Sequence, residues 1–156
     1  MGITDTVFVY EPHIRLGFFA AVLVIFGLLE AVSPRRPRLV SRLVRWTNNL
    51  GLVALNTVVL RLLFPAAAVG AAVVAEQQGW GLLNQWAVPY ALAVVISVIA
   101  LDLVVYLQHV MFHAVPALWR LHRVHHADLD FDVTTGLRFH PIEIVLSMVL
   151  KLGAVA

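Results

Sequence analysis

The sequence predicts an all-α fold, a multispanning bundle of transmembrane helices. Of its 156 residues, 61% are apolar and only 13% are charged, whereas soluble chains carry about 25% charged residues. The mean hydropathy is +0.88, and the apolar residues gather into runs long enough to cross a bilayer. A compact soluble fold has too little interior to hold this much apolar surface, so the bilayer is the predicted solvent.

The charge and the cysteine content exclude several classes of protein. The formal net charge is only +2, and arginines gather in one short loop rather than along a basic face. This pattern is typical of membrane topology and not of nucleic-acid binding, so no nucleic-acid partner is predicted. The chain has no cysteine, which excludes disulfides, thiolate nucleophiles and cysteine-ligated metals. A metal site would have to use histidines and carboxylates.

The first apolar run extends from Ile14 to Val32 and ends at Ser33 and Pro34. Its length of about 28 Å as a helix is sufficient for one span. A basic loop follows, with Arg35, Arg36, Arg38, Arg42 and Arg45.

Three further apolar runs follow the basic loop. The second covers Leu50–Ala75, and Pro65 is expected to kink it. The third covers Trp86–Phe112, and the polar stretch Leu118–Asp132 after it has an amphipathic helical pattern. A fourth apolar run begins at Ile142.

The arginines also predict the topology. Loops rich in arginine remain in the cytoplasm, so the loop after the first span is predicted to be cytoplasmic. The second run then leaves that side and the third returns to it. The segment from about His109 to Glu143 is therefore predicted to lie on the cytoplasmic side, together with the basic loop.

Six of the seven histidines lie in that segment, in two boxes and one isolated position. Residues four apart share one face of a helix, so each box can direct its imidazoles to a common point. Neutral imidazole binds iron, zinc, copper and nickel, so the ligand type alone leaves the metal open. The boxes are HxxxH, with His109 and His113, and HxxHH, with His122, His125 and His126, and the isolated histidine is His140.

The sequence around these boxes resembles the fatty acid hydroxylase superfamily, in particular bacterial sterol-desaturase-like proteins. The resemblance rests on LWRLHRVHHAD from Leu118 and on DVTTGLRFHPIE from Asp132, and extends over Asp102–Glu143. The paired boxes in a membrane setting are specific for the superfamily, but they do not identify a substrate.

This resemblance implies a membrane-bound di-iron oxygenase that hydroxylates or desaturates a lipid, either a fatty acyl chain, a sterol or a related molecule. It implies that the six histidines hold two iron ions, for which zinc is a possible substitute, with no catalytic residue beyond the ligands. O2 is the oxidant, and electrons come from a cytosolic donor. The implied location is the bacterial inner membrane, with the boxes facing the cytoplasm.

The resemblance also implies a division of the chain. Residues 1–101 would form the N-terminal transmembrane part, and residues 102–156 the start of the catalytic domain. The family has a third box, another HxxHH, farther downstream, whereas this sequence stops at Ala156 inside an apolar run. We therefore expect an N-terminal fragment with an incomplete metal site and no turnover of its own.

Two aspartates are candidates for orienting the ligands from outside the first coordination sphere. Asp102 lies two helical turns before His109, and an ion pair with Arg61 is an equally good interpretation. Asp128 follows the second box, where a solvated loop residue is the simpler interpretation. Glu143 is expected to interact with the N-terminus of the fourth helix.

Two other classes of function remain as alternatives. A membrane zinc hydrolase would need a carboxylate base beside its ligands, as in HExxH, but Val-Met-Phe separates His109 from His113. A non-catalytic metal or haem carrier would not require six histidines in one segment, because a bis-histidine haem needs only two axial ligands.

Overall fold

The computed structural model describes residues 3–155, with side chains from residue 10 onward except at residue 67. The protein is 79% helical, and the described residues form no strand, as predicted. The residues that the structure describes form seven α-helices: α1 (Ile3–Val32), α2 (Arg42–Leu63), α3 (Ala67–Gln78), α4 (Leu82–Gln85), α5 (Tyr90–Ala114), α6 (Pro116–His126) and α7 (Pro141–Val155). A single 3₁₀ turn, Thr135–Leu137, lies between α6 and α7.

Three described segments are long and apolar enough to cross a bilayer. They are Tyr10–Val32, Arg42–Gln85 and Tyr90–Ala114, and each contains an 18-residue stretch whose mean hydropathy is 2.1, 2.2 and 2.4, respectively. The middle segment is broken where α2 ends at Leu63, just before Pro65, so the predicted interruption is confirmed. These segments make the protein an integral membrane protein by length and composition.

The basic loop is shorter than predicted because α2 begins at Arg42, which places Arg45 inside the helix. The expectation that Arg45 belongs to the loop was wrong. Its side chain is only 5% exposed and is paired with two carboxylates. Since such pairing removes the cost of burying a guanidinium, the helix extends through residues that look like loop by charge alone.

The protein has a polar interior and an apolar exterior. Large apolar side chains such as Phe18 and Leu62 are more than 70% exposed, as expected for surfaces that face lipid. The most deeply buried described residues are mainly polar, and they include Asn49, His122 and Thr134. The polar side chains of this protein therefore face one another in the interior of the helix bundle.

Helix packing brings the histidine segment to the end of the bundle that carries the basic loop. α6 packs on α5, and α7 packs against α2, α3 and α5. The backbone N–H groups of Leu39 and Val40, in the loop after α1, donate to Asp130 at 3.0 and 2.8 Å. The predicted location of both segments on one side of the bundle is thus confirmed by direct contact.

Candidate metal centre

A sharp turn between α5 and α6 brings the two histidine boxes together. α5 ends at Ala114, and α6 begins at Pro116, which occupies the first turn of the helix. Proline is well suited to that position because it has no N–H to satisfy and its φ is already helical. α6 therefore folds back along the end of α5, and its histidines face those of the first box.

Five of the six predicted ligands form one cluster. The rings of His109 and His113 are 4.7 Å apart, which confirms that the two lie on one face of α5. His122 is the central ring, because its centroid lies 4.8 Å from that of His109 and 4.9 Å from that of His113. Its distances to His126 and His125 are 5.0 and 5.4 Å.

The nitrogen atoms of the cluster are close enough to share an ion. One ligand atom from each of His109, His113 and His122 can be chosen so that all lie within 4.8 Å of one another. Nitrogen ligands on one tetrahedral ion, with bonds of about 2.1 Å each, are about 3.4 Å apart, so small rotations of the side chains would bring the three nitrogens onto one ion. The Nε2 atoms of His113 and His126 lie 3.2 Å apart, so the last histidine of the first box contacts the last histidine of the second box.

Two buried nitrogens of the cluster lack a protein partner. His122 Nε2 and His125 Nδ1 are inaccessible to solvent and have no hydrogen-bond partner among the described residues. A buried polar atom without a partner is costly and requires an explanation. A bound cation supplies one, because each lone pair would then point to a metal. The donor set is therefore compatible with a metal ion held by imidazoles.

The surroundings of the three histidines on α6 favour their neutral form, which is the form that binds a metal. Burial, together with the nearby His109 and His113 rings, lowers the pKa of His122. Burial and the neighbouring imidazoles likewise lower the pKa values of His125 and His126. Since only the neutral ring has a free lone pair for a metal, this environment favours the ligand form.

Glu143 is the partner of the central histidine. His122 Nδ1 and Glu143 Oε1 are 2.7 Å apart, and both side chains are almost completely buried. Glu143 lies in the first turn of α7, where the helix dipole favours a carboxylate that accepts the Nδ1–H. This hydrogen bond fixes the tautomer that leaves Nε2 free for a metal. The sequence located Glu143 correctly at the helix start, but not its contact with His122.

We expect Glu143→Gln to weaken Zn²⁺ binding about 10- to 100-fold, because a ligand imidazole would lose its orienting carboxylate. Competition with a chromophoric chelator measures the affinity, and Zn²⁺ serves as a redox-inert probe. The amide keeps one acceptor oxygen, so the melting temperature of the metal-free protein should change little. Glu76→Gln, on α3 and exposed, is the matched control. An unchanged affinity in Glu143→Gln would exclude this orienting role.

Aromatic side chains line the cluster on several sides. The Phe139 ring stacks on His125, with centroids 4.9 Å apart and planes 4° from parallel. The Trp119 ring lies 5.2 Å from His113 and 5.4 Å from His126. These rings limit the rotation of the imidazoles and lower the polarity around them. Sequence reasoning did not identify them, although Trp119 is one helical turn before His122.

The sixth predicted ligand, His140, lies just before the start of α7. His140 Nδ1 accepts the backbone N–H of Ile142 at 3.2 Å, so His140 caps the start of α7. No close ring pair among the described residues joins His140 to the other histidines. Its role as a ligand remains a prediction.

The two aspartates selected from the sequence occupy different surroundings. Asp102 is exposed on α5, and no described ion pair connects it to Arg61. Asp128 accepts hydrogen bonds from Arg45, Asn49 and Thr135. Burial opposes ionisation of Asp128, but these three donors outweigh it and hold the pKa of the carboxyl below its usual range. Neither aspartate has a described hydrogen bond to a histidine.

A buried polar network on α2 holds the loop that follows the second box. Arg45 binds Asp128 through Nε at 2.7 Å and Asp132 through Nη1 at 2.8 Å. Asn49 donates to Thr134 at 2.9 Å. One face of α2 thus fixes both ends of the segment between residues 128 and 134.

The same helix reaches the aromatic lining of the cluster. Asn56 donates to the backbone carbonyl of Phe139 at 3.0 Å, and the Phe139 ring covers His125. Arg138 donates to the Val124 carbonyl at 2.8 Å, so the loop is also tied to α6. Sequence reasoning missed these residues, although the polar positions 45, 49 and 56 follow a helical spacing within an apolar run.

The fold and the cluster define an integral membrane protein with a histidine-rich candidate metal site. Residues 94–156 match the family model described as fatty acid hydroxylase. This match confirms the resemblance of that segment to the fatty acid hydroxylase superfamily. No curated protein and no solved structure matches the chain. The matched segment includes every histidine of the cluster, and the family indicates an oxidoreductase of the lipid hydroxylase or desaturase type. The division at residue 102 remains a prediction.

Proposed function

We propose that the protein is a membrane-bound di-iron oxygenase that hydroxylates or desaturates a lipid with O2 and electrons from an external donor. The observation that carries this proposal is the cluster of five imidazoles, with two buried and unpartnered nitrogens, inside the segment that matches the family. Imidazole ligands are appropriate for iron. The first box lies at the end of α5, which is a candidate membrane span.

The residues of the chain supply position and environment for this chemistry. When bound, iron would supply the redox chemistry with O2 that removes hydrogen from an unactivated carbon. His109, His113, His122, His125 and His126 would hold the ions, and Glu143 would orient His122. His140 would complete the predicted set of ligands. The exposed apolar faces of the helices would admit a lipid laterally, without passage through water.

The remaining features of the proposal concern topology and partners. The boxes would face the cytoplasm of a bacterial cell, since the arginines of the adjoining loop favour that side. A soluble electron donor would then reach the metal site directly. Residues 1–101 would provide the membrane anchor, and residues from 102 onward would begin the catalytic domain.

A hydrolase has less support than an oxygenase. Zinc hydrolysis requires a carboxylate free to activate water. Among the described residues, Glu143 is the carboxylate in hydrogen-bond contact with the cluster, and its Oε1 is engaged by His122. Its Oε2 has no hydrogen-bond partner in the described part of the chain but is buried away from solvent, so Glu143 is poorly placed to exchange a proton with water.

The function is tested with the full-length gene product in bacterial lipid. We expect about two iron ions per chain and O2-dependent oxidation of a lipid, detected by mass spectrometry. The double variant His125→Ala/His126→Ala should lose this oxidation, since two ligands are removed. His13→Ala changes an exposed histidine outside the cluster and should retain it. Stoichiometric haem, or full activity in the double variant, would contradict the proposal.

A further inference from the structure

A cleft of about 840 Å³ lies beside the metal centre, between the loop after α1 and the loop after α6. One wall is formed by Glu30, residues 33–39, Arg42 and Arg45, and the other by residues 128–132. We call it the arginine cleft. None of its lining residues is a histidine, so it is separate from the candidate metal centre. Its volume is within the range of small-molecule binding sites, about 300–1,000 Å³.

Four carboxylates line the arginine cleft, and three of them are occupied by other groups. Asp128 and Asp132 are paired with Arg45. Asp130 accepts the backbone N–H groups of Leu39 and Val40, which close the cleft at one end. The fourth, Glu30, accepts the backbone N–H of Val133 through Oε1 at 2.9 Å, and its Oε2 lies 3.9 Å from Arg42. Since five arginines line the cleft against these four carboxylates, the lining keeps an excess of positive charge.

The opposite wall carries unpaired positive charge. Arg35 and Arg36 line the arginine cleft, and neither has an ion pair or side-chain hydrogen bond among the described residues. Arg42 is 3.9 Å from Glu30, a long contact, and its buried Nε has no partner. An anion in the cleft would supply acceptors for all three guanidinium groups.

The position of the arginine cleft indicates which anion would reach it. It lies where α1 ends and α2 begins, and both helices belong to candidate membrane spans. This is the level of the lipid headgroups, where arginines are attracted to anionic lipid. Two large apolar side chains from the cleft wall are also strongly exposed, Phe131 at 87% and Leu129 at 70%. A phospholipid suits this combination, because its phosphate can pair with the guanidinium groups while its acyl chains contact the apolar side chains. Exposure to water would not stabilise these apolar side chains.

We propose that the arginine cleft binds the phosphate headgroup of an anionic phospholipid from the surrounding leaflet. The headgroup lies between Arg35, Arg36 and Arg42. The part of an acyl chain nearest the headgroup contacts Phe131 and Leu129. Because the second wall is the loop that the α2 network holds beside the histidine cluster, the bound lipid also supports that loop from its outer side.

Native mass spectrometry of the purified, delipidated chain in detergent tests this site. Phosphatidylglycerol should bind more tightly than phosphatidylcholine, which has the same phosphate but no net charge. Arg35→Gln/Arg36→Gln should weaken phosphatidylglycerol binding at least about tenfold, since each arginine near anionic lipid contributes appreciably. Both residues are exposed loop positions, so the fold should be retained, as checked by circular dichroism.

The matched control is Arg120→Gln/Arg123→Gln, which removes the same charge from exposed positions of α6 outside the arginine cleft. Its binding should remain within about twofold of wild type. Phe131→Ser should also weaken binding without any change of charge. Equal losses in the two arginine pairs, or no loss in the cleft pair, would overturn the proposal. Displacement of the lipid by millimolar inorganic phosphate would also overturn it and indicate a site for free anions.

Discussion

Replacement of His122 by alanine is expected to weaken Zn²⁺ binding by more than about 100-fold, beyond the effect of removing an orienting group. His122 is the ring that all four other imidazoles of the cluster surround, at centroid distances between 4.8 and 5.4 Å. Its Nε2 is buried and has no protein partner. Loss of this ring removes a ligand and leaves Glu143 buried without its hydrogen bond. Equilibrium dialysis with metal analysis measures the result.

A second variant separates loss of a ligand from loss of folding. His122 is completely buried, so His122→Ala also creates a cavity and is expected to lower the melting temperature. His126 is exposed at the end of α6, and its removal leaves no cavity. His126→Ala should therefore lose metal affinity while retaining wild-type helicity. His13→Ala, outside the cluster, should bind metal normally. Wild-type affinity in both cluster variants would exclude a metal site at this position.

The histidine spacing explains why much of this site was predictable. Residues four apart on a helix share a face whatever the remainder of the fold, so the pair His109 and His113 follows from sequence alone. Pro116 indicates where α5 stops, and the second box then has to begin a new helix. Only packing decides which imidazole becomes central, because that depends on how far α6 folds back onto α5.

Other parts of the site depend on contacts between distant segments. The contact between Glu143 and His122 joins residues 21 positions apart, and that between Arg45 and Asp128 joins residues 83 apart. A sequence pattern records local periodicity and contains no direct information on such distances. Arg45 was misinterpreted because an arginine near a span usually marks an exposed loop. His140 lies close to the boxes in sequence and caps the start of α7, and spacing alone does not determine whether it also contacts the cluster.

The Arg45 network leads to the second large effect. Arg45→Met is expected to lower the free energy of unfolding by about 3–5 kcal/mol, the usual cost of breaking a buried ion pair by removing one partner. Asp128 and Asp132 would remain as buried carboxylates without their cation, at side-chain exposures of 3% and 6%. Denaturant unfolding in a fixed detergent, followed by circular dichroism, measures the loss. Arg15→Met is the control, because the pair with Glu11 is exposed and contributes about 0–1 kcal/mol.

Removal of all three charges distinguishes the electrostatic cause from a packing defect. Arg45→Met/Asp128→Asn/Asp132→Asn leaves no buried charge without a partner, so its stability should return to within about 2 kcal/mol of wild type. Arg45→Lys should recover less, because an ammonium group cannot bind Asp128 through two parallel hydrogen bonds while also reaching Asp132. If Arg45→Met were as stable as Arg15→Met, the network would contribute nothing to folding. If Arg45→Met were unstable and the triple variant equally unstable, the lost side-chain volume and not the charge would be the cause.

The Zn²⁺ affinity of Arg45→Met should also fall, since the loop that begins at Asp128 carries Phe139 to its position on His125.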